Sequence, residues 1–187
     1  MIKDLFATPV YCDQIGDFEK VQSEIGNCID NLDFEMNEYW GKTHYLSKNM
    51  FNEHLFDKYN LNTLTKQIDY HLREYVKGAN LPMKEYSYDS SWVSMFKQGN
   101  YGHIHHHGAV DIAGVYYYKT NGEDGNIFFE CPVPNMETSM GFIPLADRVN
   151  FRPIEGRLLL FPGWLKHGIE TNETKDTRIS LSFNIFF

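Results

Sequence analysis

The chain has 187 residues, enough for one well-buried core and too few for two comfortable domains. Its net charge of −8 supplies no broad cationic footprint for nucleic acid or an anionic membrane. No run approaches a membrane span, and Met1-Ile2-Lys3-Asp4-Leu5-Phe6 lacks the apolar core of a signal peptide, so a cytoplasmic protein is expected.

Cys12, Cys28 and Cys131 are widely spaced without a C-x-x-C pair, which fits reduced thiols acting as small buried hydrophobes. Aromatic content is 16%, as suits a β-rich fold.

In chain order, Phe6 to Cys12 reads as a short extended segment in which Pro9 argues against a central strand. Asp17 then stands as the N-cap of a helix whose apolar stripe is Val21, Ile25, Cys28, Ile29 and Leu32. Residues 33 to 57 mix polar and aromatic types without a readable period. A second helix follows from Leu61, Leu64, Ile68, Leu72, Tyr75 and Val76, with Gly78 as its stop. From Tyr86 the period becomes two. Tyr86 to Phe96, Ile112 to Lys119, Gly125 to Glu130, Arg148 to Arg152, Arg157 to Phe161 and Thr177 to Phe187 are predicted strands, separated by Gly, Pro, Asn and Asp. Such a succession predicts one domain over 1–187, with a helical part over 1–84 and a β-barrel or sandwich over 85–187 that carries the helices outside.

The chemistry concentrates in His103-Ile104-His105-His106-His107, four of the eight histidines in five residues. On an extended backbone His103, His105 and His107 share a face, and neutral imidazole is a common ligand for iron, zinc, copper and nickel. The candidate pair is therefore His105 with His107, or His103 with His105. An isolated His167 follows the Phe161-Pro162-Gly163 turn. On the last strand, period two puts Arg178, Ser180, Ser182 and Asn184 on one face and Ile179, Leu181, Phe183 and Ile185 on the other. If the polar face looks into a barrel it forms a carboxylate site, because a guanidinium binds carboxylates bidentately and hydroxyls donate to the remaining oxygens. Trp92 and Ser94 share a face and can line such a pocket. His44, His54 and His71 have no partner pattern and read as surface or satisfied structural groups.

The series His105-His106-His107, Ala113-Gly114-Val115-Tyr116-Tyr117, Phe161-Pro162-Gly163-Trp164-Leu165-Lys166-His167 and Arg178-Ile179-Ser180-Leu181-Ser182-Phe183-Asn184 resembles the Fe(II)/2-oxoglutarate-dependent oxygenases. More closely, it resembles a compact subfamily common in bacteria and their phages, and Leu5 to Tyr11 is similar to that subfamily's start. The resemblance implies a double-stranded β-helix, a jelly-roll of cupin-like form with the metal at its mouth. It implies His105, His107 and His167 as metal ligands, and Arg178 with Ser180 as the holders of the co-substrate carboxylate. Tyr116 and Tyr118, which share a strand face, are further candidate contacts to the co-substrate. Expected cofactors are Fe(II), 2-oxoglutarate and dioxygen, and the expected activity is hydroxylation of an unidentified substrate coupled to oxidative decarboxylation of 2-oxoglutarate.

The superfamily's usual triad is two histidines and one carboxylate. His107 occupies the carboxylate position here, and Asp111, four residues on, contests it if the loop folds back; His103 remains the other contestant. Two further readings stand beside the oxygenase: a three-histidine cupin-like dioxygenase or isomerase, and a non-catalytic jelly-roll with a structural metal. Residues 33 to 60 and 131 to 150 are expected to choose the substrate, the second as an exposed loop near the barrel mouth.

Overall fold

The computed structural model describes residues 7–48, 54–133 and 148–187. Among these residues, eleven strands and three helices follow one another as β1 (Tyr11–Gln14), α1 (Phe18–Ile29), β2 (Phe34–Met36), β3 (Tyr45–Ser47), α2 (Leu55–Lys58), α3 (Asn62–Gly78), β4 (Ser87–Phe96), β5 (Gly102–His105), β6 (Ile112–Lys119), β7 (Ile127–Glu130), β8 (Arg148–Phe151), β9 (Arg157–Pro162), β10 (His167–Ile169) and β11 (Arg178–Phe186). They form a seven-stranded sheet in the order β1-β9-β6-β11-β4-β3-β2 and a four-stranded sheet in the order β5-β10-β7-β8. Both sheets are antiparallel throughout the described pairings.

Alternation along the strands of the large sheet divides the apolar side chains between two cores. Leu158 and Leu160, with Ile179, Leu181, Phe183 and Ile185, face the helices, where Val21, Ile25, Leu64, Ile68 and Leu72 meet them. Ala113, Val115, Tyr117, Leu159 and Phe161 face the small sheet and pack on Ile127, Phe129 and Leu165. Burying a side chain of this size contributes about 1.5–3 kcal/mol, so each strand stabilises both layers at once.

The six predicted strands from residue 86 onward appear with ends moved by two residues or fewer, and the two long predicted helices appear as α1 and α3. Their signals differ from expectation in two details. Asp17 is the N-cap of α1, but its backbone is left-handed at φ 49 and its side chain makes no cap; the carboxylate instead accepts from Gln67 Nε2 at 3.3 Å. Gly78 is the last residue of α3, and the turn comes two residues later at Asn80, whose φ is 55.

The N-terminal part is not purely helical. β1 pairs with β9, while β2 and β3 form a hairpin whose second strand pairs with β4. Two of these strands have three residues each, too few to display a period. Most of the 131–150 segment read as a substrate loop lies outside the described residues. Among them, no helix is long and apolar enough to cross a membrane.

Candidate metal centre

β5 and β10 are antiparallel neighbours, and their register sets His105 directly opposite His167. The strand stops at His105, after which the chain bends. His107 returns to the same cluster because its N–H donates to the Gly163 carbonyl at 2.7 Å, while Gly163 N donates to the Asp111 carbonyl at 3.1 Å. Gly163 is required at this crossing, since a Cβ there would collide with the Val110 carbonyl. The ligating atoms of His105, His107 and His167 consequently lie within 4.8 Å of one another.

Hydrogen bonds select the same tautomer for all three rings. His105 Nδ1 lies 2.8 Å from the His103 carbonyl and His167 Nδ1 lies 2.9 Å from the Leu165 carbonyl. A carbonyl only accepts, so both Nδ1 atoms carry the proton and both Nε2 atoms keep their lone pairs. His107 Nδ1 lies 2.6 Å from Asn184 Oδ1, which accepts in the same way. Burial lowers the pKa of all three, His107 to about 4, and thereby favours the neutral ring that a metal needs. Three neutral nitrogen donors with fixed outer partners fit a divalent transition metal.

Neither contestant joins this group, although His103 lines the same cavity. His103 is exposed, outside the three-histidine group, and its ring abuts Gly41 and Tyr101. Asp111 Oδ2 accepts from Phe187 N at 2.9 Å, so the loop holds this carboxylate against the chain terminus and away from the cluster.

Beside the histidines, the inner face of β11 turns toward the cavity as expected, with Ser180 and Ser182 in its wall. Arg178 is fully buried. Its Nη1 donates to the Gly125 carbonyl at 2.8 Å, whereas Nε and Nη2 are buried without a partner among the described residues. The guanidinium carbon sits 5.2 Å from the Phe96 ring centre and 4.8 Å from that of Tyr117. A buried cation with two unsatisfied nitrogens is costly unless an anionic guest completes it, so the arrangement fits a carboxylate.

Tyr116 and Tyr118 do not reach this cavity. Both belong to the helix-facing side of β6: Tyr116 Oη donates to Gln22 Oε1 at 3.3 Å, and Gln22 Nε2 donates to the Tyr118 carbonyl at 2.9 Å. The inward tyrosine is Tyr117, one residue between them, and its buried hydroxyl has no partner among the described residues.

Three contributors were not legible as site residues. His44, read as surface or structural, lines the cavity and stacks on Phe96 at 4.5 Å and 6°. Trp40 and Leu46, from the unassigned 33–57 region, join it in the wall. Trp40 packs edge-on against His105 at 4.9 Å, and Trp92, a predicted wall residue, lies 5.8 Å from His107. Outside the histidines a wider cleft of about 610 Å³ opens between Tyr39, Trp40, Trp92, Ile104 and His106, a size suited to a small molecule or one side chain of a larger one.

Burial, more than any neighbouring charge, lowers the His44 pKa from 6.5 to about 4. Below pH 6.5 the unfolded chain takes up a proton that the folded protein refuses, so this contribution to stability is full above pH 6.5 and is lost as pH falls toward 4. His71, buried on α3 with Nδ1 2.8 Å from Tyr11 Oη, is lowered by burial too and acts in the same direction. The metal-free protein is expected to lose thermal stability steadily between pH 6.5 and 4, and His44→Gln to flatten that loss in a pH series of melting curves.

A family profile described as "Putative 2OG-Fe(II) oxygenase" matches residues 90–184, just over half of the chain. The chain belongs to the 2OG-Fe(II) oxygenases. The protein is thus an enzyme of that superfamily with a three-histidine facial triad and an iron and 2-oxoglutarate type of cofactor use. No curated protein sequence matches the chain.

Solved structures extend the likeness of this oxygenase to the whole fold. HygX from Streptomyces hygroscopicus with nickel and 2-oxoglutarate bound has a TM-score of 0.65 at 11% identity, covering 95% of this chain and 82% of that one. A Pseudomonas putida prolyl-4-hydroxylase gives 0.59 at 13%, covering 97% and 94%. The epimerase SnoN from nogalamycin biosynthesis gives 0.65 at 13%, covering 96% and 78%. At such identities the likeness concerns the fold alone, the double-stranded β-helix.

Proposed function

We propose that residues 1–187 act as one oxygenase domain that hydroxylates a substrate held in the outer cleft, with His105, His107 and His167 holding ferrous iron and Arg178 holding the distal carboxylate of 2-oxoglutarate. The observation that carries this reading is the pairing of three convergent imidazole lone pairs with a buried guanidinium that lies on the same strand as the cavity-wall residues Ser180 and Ser182 and lacks partners on two nitrogens among the described residues. Bound iron with 2-oxoglutarate and dioxygen supplies a two-electron oxidation of a substrate C–H bond as the co-substrate is converted to succinate and carbon dioxide.

The chain's own residues hold and shield. Arg178 offers Nε and Nη2 to one carboxylate, and Ser180, buried on the same strand face, offers its hydroxyl to the remaining oxygen. Phe96 and Tyr117 sandwich the guanidinium and keep it in one rotamer, and the Tyr117 hydroxyl is a further donor for the guest. Trp40 and Trp92 flank the histidines on the cleft side and exclude water from the face at which substrate arrives.

The test is succinate formation from 2-oxoglutarate with added Fe(II), in air, with and without candidate substrates. Slow, iron-dependent turnover without substrate is expected, and label from ¹⁸O₂ is expected in the hydroxylated product. A metal-loaded protein whose melting temperature 2-oxoglutarate does not raise would overturn the co-substrate assignment and favour a three-histidine cupin that uses no oxo-acid.

A further inference from the structure

The ring of His107 is held differently from those of His105 and His167. Backbone carbonyls orient the latter two, whereas His107 depends on a side-chain amide, which can present either its oxygen or its nitrogen. Asn184 Oδ1 lies 2.6 Å from His107 Nδ1, and Asn184 Nδ2 donates to Ser90 Oγ at 3.1 Å. Ser90 Oγ in turn donates to Asp89 Oδ2 at 3.2 Å. Asn184 and Ser90 are both buried, and β11 and β4 are paired neighbours, so the row lies across adjacent strands beside the cluster.

The direction of every proton in this row follows from its outer end. An ionised carboxylate only accepts, so the single hydroxyl proton of Ser90 goes to Asp89. Ser90 Oγ is then left as an acceptor and requires the NH₂ side of Asn184. The amide oxygen is thereby turned toward His107, whose Nδ1 must carry the proton and whose Nε2 must keep its lone pair.

We infer that Asp89, Ser90 and Asn184 form a positioning relay that selects the metal-binding tautomer of His107 and connects the otherwise uncharged three-histidine set to a carboxylate. The inference rests on the metal-centre reading for its purpose but not for its geometry. A ligand set of three neutral imidazoles brings no negative charge of its own. The relay polarises His107 through two neutral side chains, in the manner of the carboxylate partners that raise the basicity of metal-bound histidine.

The test combines ¹⁵N-histidine NMR of the metal-free protein with Co(II) titration by calorimetry, His107 being assigned from the His107→Gln spectrum. The wild-type ring is expected to be protonated at Nδ1. Ser90→Ala releases the amide and is expected to populate both His107 tautomers. Asn184→Leu is expected to weaken Co(II) binding about 10–100-fold, and Asn184→Asp, which still accepts from Nδ1–H, to restore or exceed wild-type affinity. A purely structural amide would give no such rescue. A wild-type His107 protonated at Nε2, or Co(II) affinity in folded Asn184→Leu within about threefold of wild-type, overturns the relay. Should Asn184→Leu fail to fold, the Ser90→Ala spectrum decides, and a single unchanged tautomer there also overturns it. A wild-type protein that binds no Co(II) defeats the metal reading separately, while the tautomer spectra still decide the relay.

Discussion

Arg178→Met is expected to abolish the response to 2-oxoglutarate while leaving the metal-free protein as stable as before, or more so. The wild-type side chain is a fully buried charge, with one carbonyl bond from Nη1 and, among the described residues, two unpartnered nitrogens. Replacing a buried charge that has no ionic partner by an apolar group of similar volume removes its desolvation cost, so the change is expected to be neutral or stabilising. Loss of a desolvated, charge-assisted contact to the guest costs about 2–5 kcal/mol, which corresponds to 2-oxoglutarate binding weakened by roughly 30-fold to several thousand-fold. Melting curves of metal-loaded protein with and without 2-oxoglutarate read both effects together. A variant that is still stabilised by 2-oxoglutarate to the wild-type extent would remove Arg178 from the co-substrate site. A variant that simply unfolds would show that the guanidinium is a structural part of the wall, its place between Phe96 and Tyr117 counting for more than its charge.

Among the histidines, single alanine substitutions of His105, His107 and His167 are expected each to weaken Co(II) or Fe(II) binding by more than the roughly 10–100-fold typical of losing an outer partner. His103→Ala and Asp111→Asn are expected to leave it within a few-fold. The contrast comes from geometry, because the three ligating atoms lie within 4.8 Å of one another while Asp111 is committed to the Phe187 amide. Asparagine retains an oxygen that can accept that amide, so Asp111→Asn tests the charge without removing the contact. Calorimetric titration of the five variants against one metal separates the candidate ligand sets. Strong loss in Asp111→Asn would show that the loop folds back around the ion and would restore a carboxylate to the triad.

The two short strands that carry His105 and His167, β5 and β10, have four and three residues and were not among the predicted strands, whereas the strand that supplies Arg178 and the cavity wall was legible because its two faces differ. On β11 polar and apolar residues alternate, so the inward set Arg178, Ser180, Ser182 and Asn184 could be read from period two alone. On β6 the same rule failed. That strand is sandwiched between the helices and the small sheet and is buried on both faces from Ile112 to Tyr117, so alternation carried no sign of which side held the cavity. Tyr116 and Tyr118 were correctly grouped on one face, and the face was the wrong one. His44 and Trp40 left no local signal, because their role depends on β3 joining β4 across a separation of more than forty residues.

The sequence by itself determined the family, the double-stranded β-helix, the two long helices and the polar face of the last strand. Those features are written in local patterning and in the order of a few chemically distinctive residues. Tertiary structure alone decided which histidines converge, that Asp111 is held elsewhere, that Tyr117 instead of its neighbours meets Arg178, and that Asn184 reaches back to His107. Each of those facts depends on contacts between segments distant in the chain, some set by loop hydrogen bonds, as at His107 and Asp111, and the rest by strand register, where a shift of one residue would reverse the face.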